Sequence, residues 1–271
     1  MGEHFDALAR SWPRIMEGLG ITVTLTVGGA LLAFVVAGAL GLMAGADRAL
    51  VRGTARVIIE FFRGTSLVVQ LFFLFFVLPL FGVELSPIFV GVLGLGLNYG
   101  AYGAEVVRGS INAVPTGQWE ATTALSMSRA GRLRRVILPQ AWAIMLPSLS
   151  NLLVLLLKGT AIVSFITMFD LTASINKLRI DTNVFFAYTV GLLLYFALAW
   201  LLSLAMLWLE ARANRRLGRS TPFAELLRHS TAKVDSAQGS ATAPAAPASA
   251  RAANAPPASA APATESGVRR S

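Results

Sequence analysis

The chain has 271 residues, of which 55% are hydrophobic and only 14% charged, against about a quarter charged in a soluble domain. This excludes an ordinary soluble fold and points to an all-α integral membrane protein. There is no cysteine, and the only histidines, His4 and His229, lie near the chain ends, so thiolate chemistry, a metal site and an imidazole base are absent from the apolar body. The net charge of +9 comes from arginines that punctuate apolar runs. It reads as membrane topology, with no nucleic-acid partner.

Residues 1–19 mix Glu3, Asp6, Arg10, Arg14 and Glu17 with apolar residues and lack the pattern of a signal peptide. They read as a retained extracytoplasmic N-terminal segment. Residues 21–45 are uncharged and long enough to cross a ~30 Å hydrocarbon core, giving span one. Its Gly41 and Gly45 form a Gly-x-x-x-Gly pair that lets another helix approach closely. Residues 47–63 carry Arg48, Arg52, Arg56, Arg63 and Glu60, too much charge to span. Span two is then 64–82 with Gln70, and span three 88–107 with Asn98, Tyr99 and Glu105. Span four covers 136–157 and contains Pro139, Pro147 and Asn151; prolines there bend a helix and free carbonyls. Residues 158–187 read as a re-entrant or interfacial excursion. Span five is 188–209, with Tyr195, Trp200 and Trp208 expected at aromatic belts.

Lys and Arg number 13 on the side holding 46–63, 108–135 and 210–219, against five on the other. The richer side is expected in the cytoplasm, with the N-terminus outside and the C-terminus inside. The body, 20–219, is a transmembrane domain. Residues 220–271 turn to Ala, Pro and Ser and are expected to be a disordered cytoplasmic tail.

Between spans three and four lies a cytoplasmic stretch with its own pattern. Thr116 is placed to cap a helix over 117–127, on which Trp119, Thr123 and Met127 share a face and Glu120 and Ala124 the next. Ser128 is placed to cap a second helix, with Arg129, Arg132 and Arg135 every third residue. Such a bracket, anchored in two spans, would move both when pushed.

Read as a whole, the stretch resembles the signature loop of bacterial ABC import permeases: Glu-Ala-Ala, three residues, Gly, nine residues, Ile, one residue, Leu-Pro. Glu120, Ala121, Leu138 and Pro139 match it, with Thr122, Ser126 and Val136 at the second Ala, the Gly and the Ile. The polar amino-acid branch is resembled further by Phe62-Arg63-Gly64-Thr65 with Gln70, by Ala104-Glu105 with Arg108-Gly109, and by Gly117-Gln118. The resemblance implies the type I importer permease fold, with five transmembrane helices and a cytoplasmic coupling helix, in the bacterial cytoplasmic membrane. It implies three kinds of partner: two ATP-binding subunits, a second permease subunit (identical or related) and an extracytoplasmic solute-binding protein. Gly117, Glu120, Ala121, Ala124, Ser126, Leu138 and Pro139 become the residues that couple to the ATPase. The chain has no phosphate-binding loop of its own, so ATP is expected in the partner subunits and no cofactor here. Ser126 in place of glycine puts a side chain where the corner calls for a left-handed residue.

The branch pattern Lys-Asp-Thr-Ser reads Lys158-Gly159-Thr160-Ala161 here. That change, with Asp170-Leu171-Thr172, resembles ectoine and hydroxyectoine permeases, so the expected solute is ectoine-like or a polar amino acid. Gln70, Asn98 and the Gly159-Thr160 corner are the residues expected along the solute path, because polar groups in lipid face the bundle or water. The alternative function is a secondary transporter or channel independent of ATP; few intramembrane carboxylates are present to couple protons.

Overall fold

A computed structural model describes residues 2–216, and the expected tail lies outside them. All regular structure among the described residues is helical. The helices are α1 (Gly2–Ala44), α2 (Ala49–Gly64), α3 (Leu67–Phe72), α4 (Pro87–Asn112), α5 (Thr116–Ala124), α6 (Arg129–Arg132), α7 (Leu138–Gly159), α8 (Leu171–Asp181) and α9 (Val184–Arg216). Two π-helical turns, Phe73–Val77 and Leu133–Ile137, and two 3₁₀ stretches, Leu78–Phe81 and Thr160–Ile166, continue these helices.

Among the described residues three helical stretches are long and apolar enough to cross a membrane: Asp6–Ala44, Arg129–Ile166 and Val184–Arg212. The pair Ala49–Gly64 and Leu67–Phe81, bent by 99°, passes the same test only when taken together, as a broken span or a re-entrant loop. The expected span two falls on the second part of this pair, and the first part buries Ala55 and Ile59.

α4, at the place of span three, is 26 residues long and sits inside the bundle, with twelve residues buried. A helix so shielded by its neighbours need not carry a lipid-facing hydropathy. Its glycines set its packing: a Cβ on Gly100 would lie 2.7 Å from Val36, and one on Gly103 2.7 Å from Ala37. Of the expected Gly41 and Gly45 pair, Gly41 meets α4 at Val107, 2.8 Å from where its Cβ would stand, whereas Gly45 has only its own turn nearby. Close backbone approach lets α1 and α4 gain dispersion contacts along their length.

Three further features appear in the helices. α1 runs unbroken through residue 19 with Pro13 inside it, so the N-terminal segment continues into span one. The helix that carries span four begins at Arg129, within the basic run, so the second arm of the bracket is continuous with that span. Tyr195 leaves the aromatic belt for a hydrogen bond with Thr172, at 2.8 Å, while Trp200 and Trp208 stay exposed.

Candidate coupling site

α5 is held at one end of the bundle by one face and presents the other. Trp119 packs against an apolar cluster that joins Ala37 of α1, Val107 of α4 and Ala141 and Met145 of α7 with Ile137 of the π turn. Thr122 on the same side is 3% exposed and donates its hydroxyl to the Trp119 carbonyl at 2.9 Å. Gln118 accepts from the Gln140 amide at 3.2 Å, a direct tie from α5 to α7. Turned outward are Gly117, Glu120, Ala121 and Ala124, with Leu125 75% exposed at the end. A carboxylate among small side chains, beside one leucine, makes a narrow ridge that fits a cleft in another protein.

Thr116 does not cap this helix; Pro115 stands at the cap position without a side-chain bond, and Thr116 is the first helical residue. Pro115 holds the extended backbone of a cap residue, φ −52 and ψ 137, and its ring offers no acceptor to the first turn. The helix also closes earlier than 127. Ser126 adopts φ 52, its N–H donates to Thr123 at 2.9 Å, and the Met127 N–H donates to Thr122 at 3.1 Å. These are the paired bonds of a Schellman stop, with a serine in the left-handed place that glycine normally takes. Ser128 then caps α6 as expected, accepting from the Gly131 N–H at 3.3 Å.

From Ser128 the chain rises without a break through the π turn, where Arg134 and Arg135 are exposed. Leu138 and Pro139 start α7. An ion pair between Arg129 and Asp47 joins this root to the α1–α2 connection. α5 is thus tied to α7 by the Gln118–Gln140 bond and rests through Trp119 on a cluster shared by α1, α4 and α7.

The residues expected along the solute path fall into two places. Gln70 and Asn98 meet: the Asn98 amide donates to Gln70 Oε1 at 3.3 Å, and both donate to the Phe62 carbonyl, at 3.0 and 2.9 Å. Gln70 also donates to the Thr65 hydroxyl at 2.7 Å. These bonds satisfy the carbonyls that the 99° bend releases. Gly159 and Thr160 are buried elsewhere. Gly159 lies against Tyr99, whose hydroxyl donates to the Leu155 carbonyl at 2.9 Å, and Thr160 donates to Leu157 at 2.7 Å. Glu105 and Arg108 form the expected local pair, 2.6 Å at the closest.

A cavity of about 220 Å³ between α1, α4, α7 and α9 is lined almost wholly by apolar side chains, Phe34, Trp142 and Leu146 among them. It offers little to a polar solute. No cluster able to hold a metal occurs among the described residues.

Asp170 has a role that sequence reasoning missed. It is fully buried and caps α8, one oxygen accepting from the Ala173 N–H at 3.0 Å and the other lacking a donor. Burial pushes its carboxyl above the usual range, against the lowering effect of backbone N–H groups of Ala173 and Thr172. The hint in the sequence was an acidic residue just before an apolar-periodic run.

Comparison with known proteins agrees with this architecture. Residues 37–215 match the family described as the binding-protein-dependent transport system inner membrane component. The probable amino-acid ABC transporter permease y4tF of Sinorhizobium fredii is 43% identical over 225 residues, which cover 78% of this chain and 93% of that protein. The L-cystine transport system permease TcyB of Bacillus subtilis is 34% identical over 214 residues, covering 77% and 90%. A crystal structure of an amino acid ABC transporter with histidines superposes with a TM-score of 0.71 at 33% identity, covering 77% of this chain and 98% of that one. The chain therefore belongs to the family of inner-membrane components of binding-protein-dependent transport systems, as an ABC importer permease of the amino-acid transporter branch with the type I fold.

Proposed function

We propose that this chain forms half of the membrane pore of an ATP-driven importer that carries a polar, zwitterionic amino acid into the cytoplasm by alternating access. The observation that carries the coupling half of this reading is the outward ridge of α5, Gly117, Glu120, Ala121 and Ala124, set on a helix whose inner face grips three others. Two ATP-binding subunits clamp that ridge and close on ATP. The Ser126 corner and the Leu138-Pro139 root pass the displacement to α7, rocking the bundle as a rigid body. A second permease subunit completes the pore and an extracytoplasmic binding protein delivers the solute. The N-terminus lies outside and residue 216 inside.

Relatives named for amino-acid and L-cystine transport favour an amino acid over ectoine. Gln70, Asn98, Gly159 and Thr160 serve the path chiefly by fixing the helices that border it. Reconstitution with the partner subunits tests the function. Glutamine or cystine uptake that requires ATP and the binding protein is the expected result. Uptake driven by a proton gradient with ATP absent would contradict it, and uptake of ectoine alone would contradict the substrate class.

A further inference from the structure

The bent helix pair brings charge to the wall of α4. On α2, Arg63 donates to Glu60 at 3.1 Å and its guanidinium lies over the Tyr102 ring of α4, 5.4 Å from the centroid. The Tyr102 hydroxyl donates back to the Arg63 carbonyl at 3.4 Å. One turn along α4, Glu105 is clamped by Arg108 and lies within Coulombic reach of Arg63 and Arg56. Arg56, Arg63 and Arg108 against Glu60 and Glu105 leave one net positive charge on this wall. About 15 Å of helix separates Tyr102 from the cytoplasmic end of α4.

These side chains are not sealed inside the chain: Arg63 is 34% exposed, Glu60 70%, Glu105 27% and Arg108 36%. Ion pairs at such a depth are costly against hydrocarbon and are found facing water-filled paths. Arg63 also holds donors in reserve. Glu60 occupies Nη1 alone, which leaves Nη2 for a second bond. A planar guanidinium braced on an aromatic ring is built to take a carboxylate by two parallel bonds.

We propose that Arg63, backed by Tyr102, is a carboxylate station on the inner half of the solute path, where the α-carboxylate of a zwitterionic substrate displaces Glu60 from the guanidinium. This rests on the importer reading and adds a residue that contacts the solute. Gln70 and Asn98, one helical turn away, hold the bend that presents it.

The chain has no cysteine, so Glu60→Cys gives a single reporter beside Arg63. The complete transporter carrying it is reconstituted and exposed to a water-soluble trimethylammonium methanethiosulfonate, alone, with an equimolar mixture of the nineteen protein amino acids that lack a thiol, or with ectoine. Labelling that the amino acids slow several-fold is expected. Adding Arg63→Gln should raise the protecting concentration at least tenfold, and Arg63→Lys less, because lysine keeps the charge and loses the fork. Absence of labelling, which would place this wall against lipid or another subunit, overturns the proposal. So does labelling that solutes leave unchanged, or protection indifferent to Arg63→Gln. ATP-driven uptake by the unaltered transporter is measured in parallel, and its absence would remove the importer reading itself.

Discussion

Replacing Ser126 by glycine should tighten the corner between the docking helix and the root of α7. Ser126 holds φ 52 with an exposed side chain, and a left-handed conformation costs a residue with a Cβ about 1–2 kcal/mol. Glycine escapes that cost but loses more backbone freedom on folding, by roughly 0.5–1 kcal/mol. The net gain is about 0.5–1 kcal/mol, a factor of about two to five in the local opening equilibrium. Hydrogen exchange at the Ser126 and Met127 amides reads it directly, because these two N–H groups make the 2.9 and 3.1 Å bonds of the helix stop. Met127 protection should rise about two- to fivefold in Ser126→Gly and fall in Ser126→Val, whose branched Cβ tolerates positive φ poorly. Equal protection in all three proteins, or a gain with valine, would refute the assignment of this corner as a strained stop.

Three other outcomes follow from the packing. Trp119→Ala removes the half-buried ring that seats α5 on the cluster shared by α1, α4 and α7; it should cost about 2 kcal/mol and lower ATP-driven uptake more than ATPase binding, measured by uptake beside co-purification. Asp170 carries a raised carboxyl pKa, so its neutral form favours the fold: that contribution is present at low pH and fades as pH rises through the elevated value. Thermal unfolding in detergent should show wild-type stability falling over that window. Asp170→Asn should flatten the profile, and Asp170→Ala should lose about 1 kcal/mol with the cap. Gly159→Ala sets a Cβ against Tyr99 and should cost about 1–3 kcal/mol; Tyr99→Leu in the same chain should recover part of it, as thermal midpoints would show.

Apolar run length and arginine placement made most of the helical order legible, because both follow from the solvent. The coupling loop was legible because its pattern is local: Ser128 caps within three residues, and Glu120 and Ala124 share a face by helical spacing alone. What escaped depends on contacts between distant residues. The bend after α2 did not show, since its sequence does not reveal that Tyr102 and Asn98 on α4 receive Arg63 and the Phe62 carbonyl. Gln70 and Asn98 stood out as polar residues among apolar ones, but their partners at the 99° bend lie in another segment. The glycines of α4 were passed over because close approach to α1 is a property of the pair.

The central claim is that the outer face of α5 meets the ATPase. In a chain without native cysteine, single substitutions Ala121→Cys and Ala124→Cys, with Glu120→Lys as a charge reversal, can be assembled with the partner subunits and treated with a short thiol-reactive benzophenone photo-cross-linker. The account predicts cross-links from both alanine positions to the ATP-binding subunit, weakened about tenfold when Glu120→Lys is added, while insertion of the permease is unchanged. Cross-links that form only to lipid or to the second permease, or full ATP-driven uptake with Glu120→Lys, would contradict it.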